Sequence, residues 1–151
     1  MGIFPVGALA FLAEDTPICL QRGNAEWGST HIENRHGHWL KKNNVSAAEM
    51  VWLKCQHTGT IYTTERHDKY KINLILHPAA LMVLRFIPGH SPYLRVLTIY
   101  NHQGTLDGQS LGRFIGRRWT GAGAKPTFAL PVPAGVAITV RPKKRVLIKP
   151  E

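Results

Sequence analysis

Four side chains within eight positions, His31, Arg35, His36 and His38, bring together groups able to move protons and offset negative charge. Imidazole titrates near working pH, and a guanidinium beside it stabilises an anionic transition state. Cleavage of an RNA backbone needs these groups. It takes a base for the 2′-hydroxyl, an acid for the leaving 5′-oxygen and positive charge for the phosphorane. On a helix, His31, Arg35, His38 and Lys42 follow i, i+4, i+7, i+11 spacing and line one face. His36 projects nearer Ile32 and Leu40. The plain alternative is a solvated polar face. His36 and His38 with His31 nearby also have the form of a metal pattern. No Cys is close, however, and the nearest carboxylate, Glu33, is assigned to a helix cap, so we read the group without metal or cofactor.

A second set lies later in the chain. In a strand over residues 94–101, alternation puts Val96, Thr98 and Tyr100 on one face and Arg95, Leu97, Ile99 and Asn101 on the other. Two hydroxyls so placed can hold a phosphate or ribose, and the tyrosine ring can stack on an unpaired base. Thr and Tyr are also simply good strand formers. Arg66, Lys69, Lys71 and Arg85 on neighbouring strands either extend an anion site or stay exposed.

The elements that must position these groups can be read in outline. Pro5 can open a short helix reaching Leu12. Thr30 with Glu33 has the form of a capping box, so a helix is expected from about His31, weakened at Gly37. A second box, Ser46 with Glu49, opens a buried helix over residues 47–56, closed by Gly59. From Thr60 the apolar period becomes two. Strands are expected over residues 60–66, 70–77, 81–87 and 93–101, in an antiparallel meander because their connections are short. Residues 110–119 read as a short helix bearing Arg113, Arg117 and Arg118, and short strands follow beyond a glycine-rich joint. The expected fold class is α+β. N-terminal helices pack on a four- to five-stranded antiparallel sheet, with a basic C-terminal extension of short strands. Residues 1–24 form an apolar N-terminal segment, 25–104 the core and 105–151 the extension.

Composition narrows the function classes. With 151 residues, 44% of them hydrophobic, the chain suits one domain with a real core. Glycine and proline follow no short period and no heptads appear, which excludes collagen-like and coiled-coil classes, and no internal repeat of solenoid length is found. The net charge is +10, and residues 1–60 carry five acids and five bases, so the whole excess falls in residues 61–151. From Gly108 to Pro150 there are nine bases and no acid. Such asymmetry favours a polyanion, above all nucleic acid. Lys42, His38, Lys71, Arg113, Arg117, Arg118, Lys143, Lys144 and Arg145 are the candidate RNA contacts. Two cysteines, Cys19 and Cys55, suggest inert thiols in a reducing, cytoplasmic setting. The apolar run from Ile3 to Ala13 is too short to span a bilayer and lacks the positively charged start of a secretory signal.

The stretch Gly28-Ser-Thr-His31-Ile32-Glu-Asn-Arg35-His36-Gly37 has the look of a "GxxHIxxRHG" segment. The later Val96-Leu97-Thr98-Ile99-Tyr100 looks like a closing "lTiY" strand. Together, over about residues 25–104, they resemble the barnase/EndoU/colicin/RelE-like superfamily of ribonuclease toxin domains, which includes prophage-encoded and contact-dependent inhibition toxins. The resemblance implies helices packed on an antiparallel sheet, metal-free cleavage to a 2′,3′-cyclic phosphate and often a tRNA substrate. It also implies action in a target-cell cytoplasm and a cognate acidic immunity protein. Carried over by position, His31 and His36 are the helix-borne histidines with Arg35 beside them, and Thr98 and Tyr100 are the last-strand hydroxyls. The function expected from the sequence is thus a toxin-like endoribonuclease. The alternatives are a non-catalytic nucleic-acid-binding protein and a phage structural or assembly protein.

Overall fold

The computed structural model describes residues 1–4, 9, 11–63, 68, 70–107 and 110–116. In chain order its elements are β1 (Gly2–Phe4), β2 (Thr16–Cys19), α1 (Gly28–Lys42), α2 (Ala47–Lys54), β3 (Thr58–Thr63), β4 (Lys71–Leu76), β5 (Ala80–Ile87), β6 (Tyr93–Asn101) and β7 (Ser110–Ile115).

All seven strands join one sheet in the order β1-β2-β6-β5-β4-β3-β7. Strands β3 to β6 form the antiparallel centre, in sequence order. The expectation of helices on a four- to five-stranded antiparallel sheet is nevertheless wrong. The sheet has seven strands, is curled and is mixed, because β2 runs parallel to β6. Strands precede the helices, and β7 (Ser110–Ile115) stands where the first part of a helix was expected over residues 110–119, whose last three residues lie outside the described ones. Both corrections have one cause. β1 and β2 are only three and four residues long, too short for their alternating burial to show as a period in the letters, and β2 carries Pro17. Their partners are distant in sequence: Ile18 aligns with Leu94 and Cys19 with Arg95. β7 likewise satisfies its backbone groups on the open side of β3, and Phe114 enters the core as the only buried residue of that strand.

The curl has a direct signature. Phe4 belongs to one edge strand and Phe114 to the other, yet their ring centroids are 5.6 Å apart. Six inter-strand steps in a flat sheet would separate those edges by roughly 29 Å. The concave side therefore wraps around a single cluster. Ile72, Leu74 and Leu76 from β4, Met82 and Leu84 from β5, and Leu94, Val96 and Ile99 from β6 contribute to it. Ile18, Ile61, Met50, Val51, Ile32 and Leu40 complete it from the other elements.

Both helices differ in detail from expectation. α1 begins at Gly28, and its N-cap, Trp27, makes no side-chain cap bond, so the Thr30–Glu33 box is not used. The helix runs through Gly37 to Lys42. The Ser46–Glu49 box on α2 does form, with both reciprocal hydrogen bonds. That helix buries Met50 and Val51 but leaves Trp52 and Leu53 exposed, and Gly59 lies within β3 rather than at the helix end. The expected helix from Pro5 falls mostly outside the described residues, as do Arg117, Arg118 and the expected strands beyond them. Both cysteines are free thiols, and burial pushes Cys55 up to about 12. Among the described residues, no helix is long and apolar enough to cross a membrane.

Two stability predictions follow from this packing. Phe114→Ala should lower unfolding free energy by about 3–5 kcal/mol, because it empties the seam between the sheet edges. Gly37→Ala should raise it by about 0.5–1 kcal/mol, since an added methyl there meets nothing within 4 Å and the helix gains propensity. Urea midpoints of the two variants check both signs.

Candidate active site

The site begins in the loop that starts α1. Gly23 and Gly28 both hold positive φ, at 65° and 82°. A Cβ on Gly28 would stand 2.6 Å from the Gln21 carbonyl oxygen, so glycine is needed there for space as well as for φ. This turn lets Ser29 and Thr30 donate their amides to the carbonyls of Gln21 and Arg22, at 2.9 and 3.0 Å. The first turn of α1 is thus satisfied by backbone, which explains why no side-chain cap is required. The same turn presents the Ala25 carbonyl to His31 and the Trp27 ring to Arg95.

His31 Nδ1 lies 2.8 Å from the Ala25 carbonyl oxygen. A carbonyl only accepts, so Nδ1 carries the hydrogen and Nε2 is the nitrogen left to meet a substrate. His36 lies in register with Ile32 and Leu40, at i, i+4 and i+8, on the side of α1 that packs inward. Arg35, His38 and Lys42 are exposed along the helix.

α1 packs against β6, where β2 covers the outer edge only as far as Arg95. There the His36 ring stacks on Tyr100, with centroids 5.2 Å apart and planes inclined by 25°. His31 meets His36 edge-on at 6.0 Å, and His102 meets Tyr100 edge-on at 6.4 Å. Four rings therefore form a continuous chain: His31, His36, Tyr100, His102. The helix-borne imidazoles and the Tyr100 phenol of β6 thus come together.

The face of β6 is set by a bulge. Val83 pairs with Thr98 but Leu84 pairs with Val96, so Leu97 is an extra residue. Inward positions are Leu94 and Val96 before the bulge and Ile99 after it. Strict alternation grouped Val96 with Thr98 and Tyr100. The bulge instead puts Arg95 on their face, opposite Arg85. Arg95 sits over the Trp27 ring at 4.4 Å and donates to the Tyr93 hydroxyl at 3.2 Å. Thr98 Oγ1, Arg95 Nε and His102 Nε2 are buried without a hydrogen-bond partner. The Thr98 hydroxyl thus shares the face of Tyr100 but is shut away from solvent.

His36 titrates below its usual 6.5. Burial is the main cause, and the positive charges of His31 and Arg35 add to it. An imidazole that holds its own proton less firmly is suited to accept one from a substrate. Among the described residues, no three His, Cys, Asp or Glu side chains cluster as a metal site requires.

The remaining candidates are dispersed. Lys71 is on β4, two strands from β6, and Arg113 is on the edge strand β7 with three strands between it and β6. Arg117, Arg118, Lys143, Lys144 and Arg145 lie outside the described residues. Sequence reasoning missed His102, Arg95 and Trp27. His102 had a signal, because Thr98, Tyr100 and His102 continue the period of two. Arg95 had none, because the bulge is invisible in the letters.

The lowered proton affinity of His36 makes folding stability depend on pH. The unfolded chain binds that proton more readily, so stability falls as pH drops through 6.5 and levels off below the folded value. Proton NMR should show the His36 ring titrating below 6.5. In urea melts, His36→Gln should gain on the wild type in relative stability as pH falls from about 7 to about 5.

Compared with protein-family models, with curated proteins and with solved structures, the chain matches none of them.

Proposed function

We propose that this chain is an endoribonuclease that cleaves RNA by internal attack of the 2′-hydroxyl, with no metal ion in the reaction. The observation that carries this reading is the ring chain His31–His36–Tyr100, with separations of 6.0 and 5.2 Å. It unites two imidazoles in unlike environments with one phenol.

In this mechanism neutral His36 takes the proton of the 2′-hydroxyl as its oxygen attacks the adjacent phosphorus. His31, oriented by the Ala25 carbonyl, gives a proton from Nε2 to the departing 5′-oxygen. Tyr100 donates a hydrogen bond to a non-bridging oxygen, and Arg35 supplies positive charge to the phosphorane. One P–O bond forms and one breaks. The products are a 2′,3′-cyclic phosphate and a free 5′-hydroxyl, with the proton passed from one side to the other. The net charge of +10 supports a polyanionic substrate, and tRNA is the substrate class implied by the toxin-domain resemblance. That resemblance also brings a cytoplasmic site of action and an acidic immunity protein as partner.

The test is cleavage of total tRNA in the presence of EDTA. Fragments ending in cyclic phosphate are expected. His36→Gln and His31→Gln should each lower kcat/KM by about 10²–10⁴-fold, and Tyr100→Phe by about tenfold. The acid limb of the kcat/KM profile should have its midpoint below 6.5, following His36. Wild-type rates in His36→Gln, or fragments ending in 3′-hydroxyls, would overturn the proposal.

A further inference from the structure

Trp27 is the N-cap of α1, yet its side chain makes no capping bond, at a place where serine, threonine or aspartate would add stability. Its backbone is instead built into a closely tied loop. The Trp27 carbonyl accepts from the Asn24 amide at 2.9 Å, and the Asn24 side-chain oxygen accepts from the Glu26 amide at 2.8 Å. A Cβ on Gly23 would collide with the Trp27 carbonyl oxygen, so this turn closes only around glycine. From β6, the Arg95 guanidinium lies over the Trp27 ring, 4.4 Å from its centroid. The indole is therefore held through its backbone and from one face, while the residue stays partly exposed.

Folding by itself gives little reason for this arrangement. Among the described residues no carboxylate pairs with Arg95, and its Nε is buried without a hydrogen-bond partner. Leaving a buried donor unpaired costs as much as one exposed cation–π contact returns, or more. A fixed, partly exposed indole backed by a guanidinium is, by contrast, suited to take the flat face of a nucleobase. Unpaired bases are held by stacking on aromatic rings, and a ring already locked loses little freedom on binding. The indole is tied to the candidate site through His31, which follows Trp27 by four positions, a rise of about 6 Å along α1. The Ala25 carbonyl, in the loop that ends at Trp27, accepts from His31 Nδ1. We infer that Trp27, backed by Arg95, stacks on the base of the nucleotide that departs with the 5′-oxygen, on the 3′ side of the cleaved bond. That side follows from the role of His31 as donor to the 5′-oxygen and so rests on the nuclease reading; stacking of an unpaired base on Trp27 does not. Bases inside a duplex are already stacked on their neighbours, which restricts the ligand to a single strand or loop.

The probe is a deoxydinucleotide with thymine on its 5′ side and 2-aminopurine on its 3′ side. It lacks the 2′-hydroxyl and cannot be cut, and the fluorescence of 2-aminopurine falls when that base stacks on an aromatic ring. Titration with the full chain should quench it. Trp27→Leu keeps apolar bulk against Arg95 but removes the ring, so it should weaken binding about 5- to 100-fold and abolish the quenching. Trp27→Phe, which restores a smaller ring, should recover part of both. Unchanged affinity and quenching in Trp27→Leu would overturn the platform, and so would an equal loss of affinity for a probe whose 3′ residue carries no base. Where Trp27→Leu fails to fold, equal affinity of Trp27→Phe and the wild type would overturn it as well. Equal quenching with 2-aminopurine on the 5′ side would overturn the assignment to the departing nucleotide. Ring-dependent quenching in a protein that cuts no RNA would instead overturn the nuclease reading and leave the platform standing.

Discussion

Phe4 and Phe114 come from the two outermost strands of a seven-stranded sheet, and their rings lie 5.6 Å apart. That contact requires the sheet to curl until its edges share one apolar interior. Burial of two phenylalanines is large enough to favour it, since truncating either costs about 3–5 kcal/mol. Once the sheet is curled, its concave side holds the aliphatic residues of β3 to β6 and the inward faces of both helices. The local strand signals leave this arrangement undecided, because it joins residues more than a hundred positions apart.

The curl leaves a task at β6. β2 aligns with this strand only at Leu94 and Arg95, and α1 packs against it as well. The helix therefore brings its histidines to a strand that already carries Tyr100 and His102. Two backbone devices tune the meeting. Positive-φ glycines at 23 and 28 set the entry to α1, which orients His31 through the Ala25 carbonyl and carries Trp27 to Arg95. The bulge at Leu97 turns Arg95 onto the face of Thr98 and Tyr100. The imidazoles of α1 meet Tyr100 and His102 at one end of that face, and Arg95 lies at the other. Partial burial lowers the proton affinity of His36, and the nearby Arg35 adds to the effect.

Much of the site was legible where the signal is local. The stripe of Ile32, His36 and Leu40 follows from helical period, and the Ser46–Glu49 box follows from reciprocal side-chain and backbone bonds over three residues. Alternation located the four central strands to within a few residues. The Thr30–Glu33 box had the same form as the second box but formed no cap, because α1 starts earlier, at Gly28, and the Thr30 amide already donates to the Arg22 carbonyl. The segment with Leu111, Arg113 and Phe114 read as a helix and folds as a strand, because the open side of β3 offers it a complete ladder. Register slipped at one residue, and that slip moved Arg95 to the other face of the grouping.

The sequence by itself determined the histidines and arginine on one helix, the positive charge, the second helix with its cap, and the antiparallel centre. These rest on interactions within a few residues, where spacing alone dictates geometry. Only the tertiary structure decided that the sheet has seven strands, that β2 runs parallel to β6, and that Tyr100 meets His36. Those outcomes depend on closing long loops around a shared apolar interior, and the energy that selects among such closures is spread over the whole core.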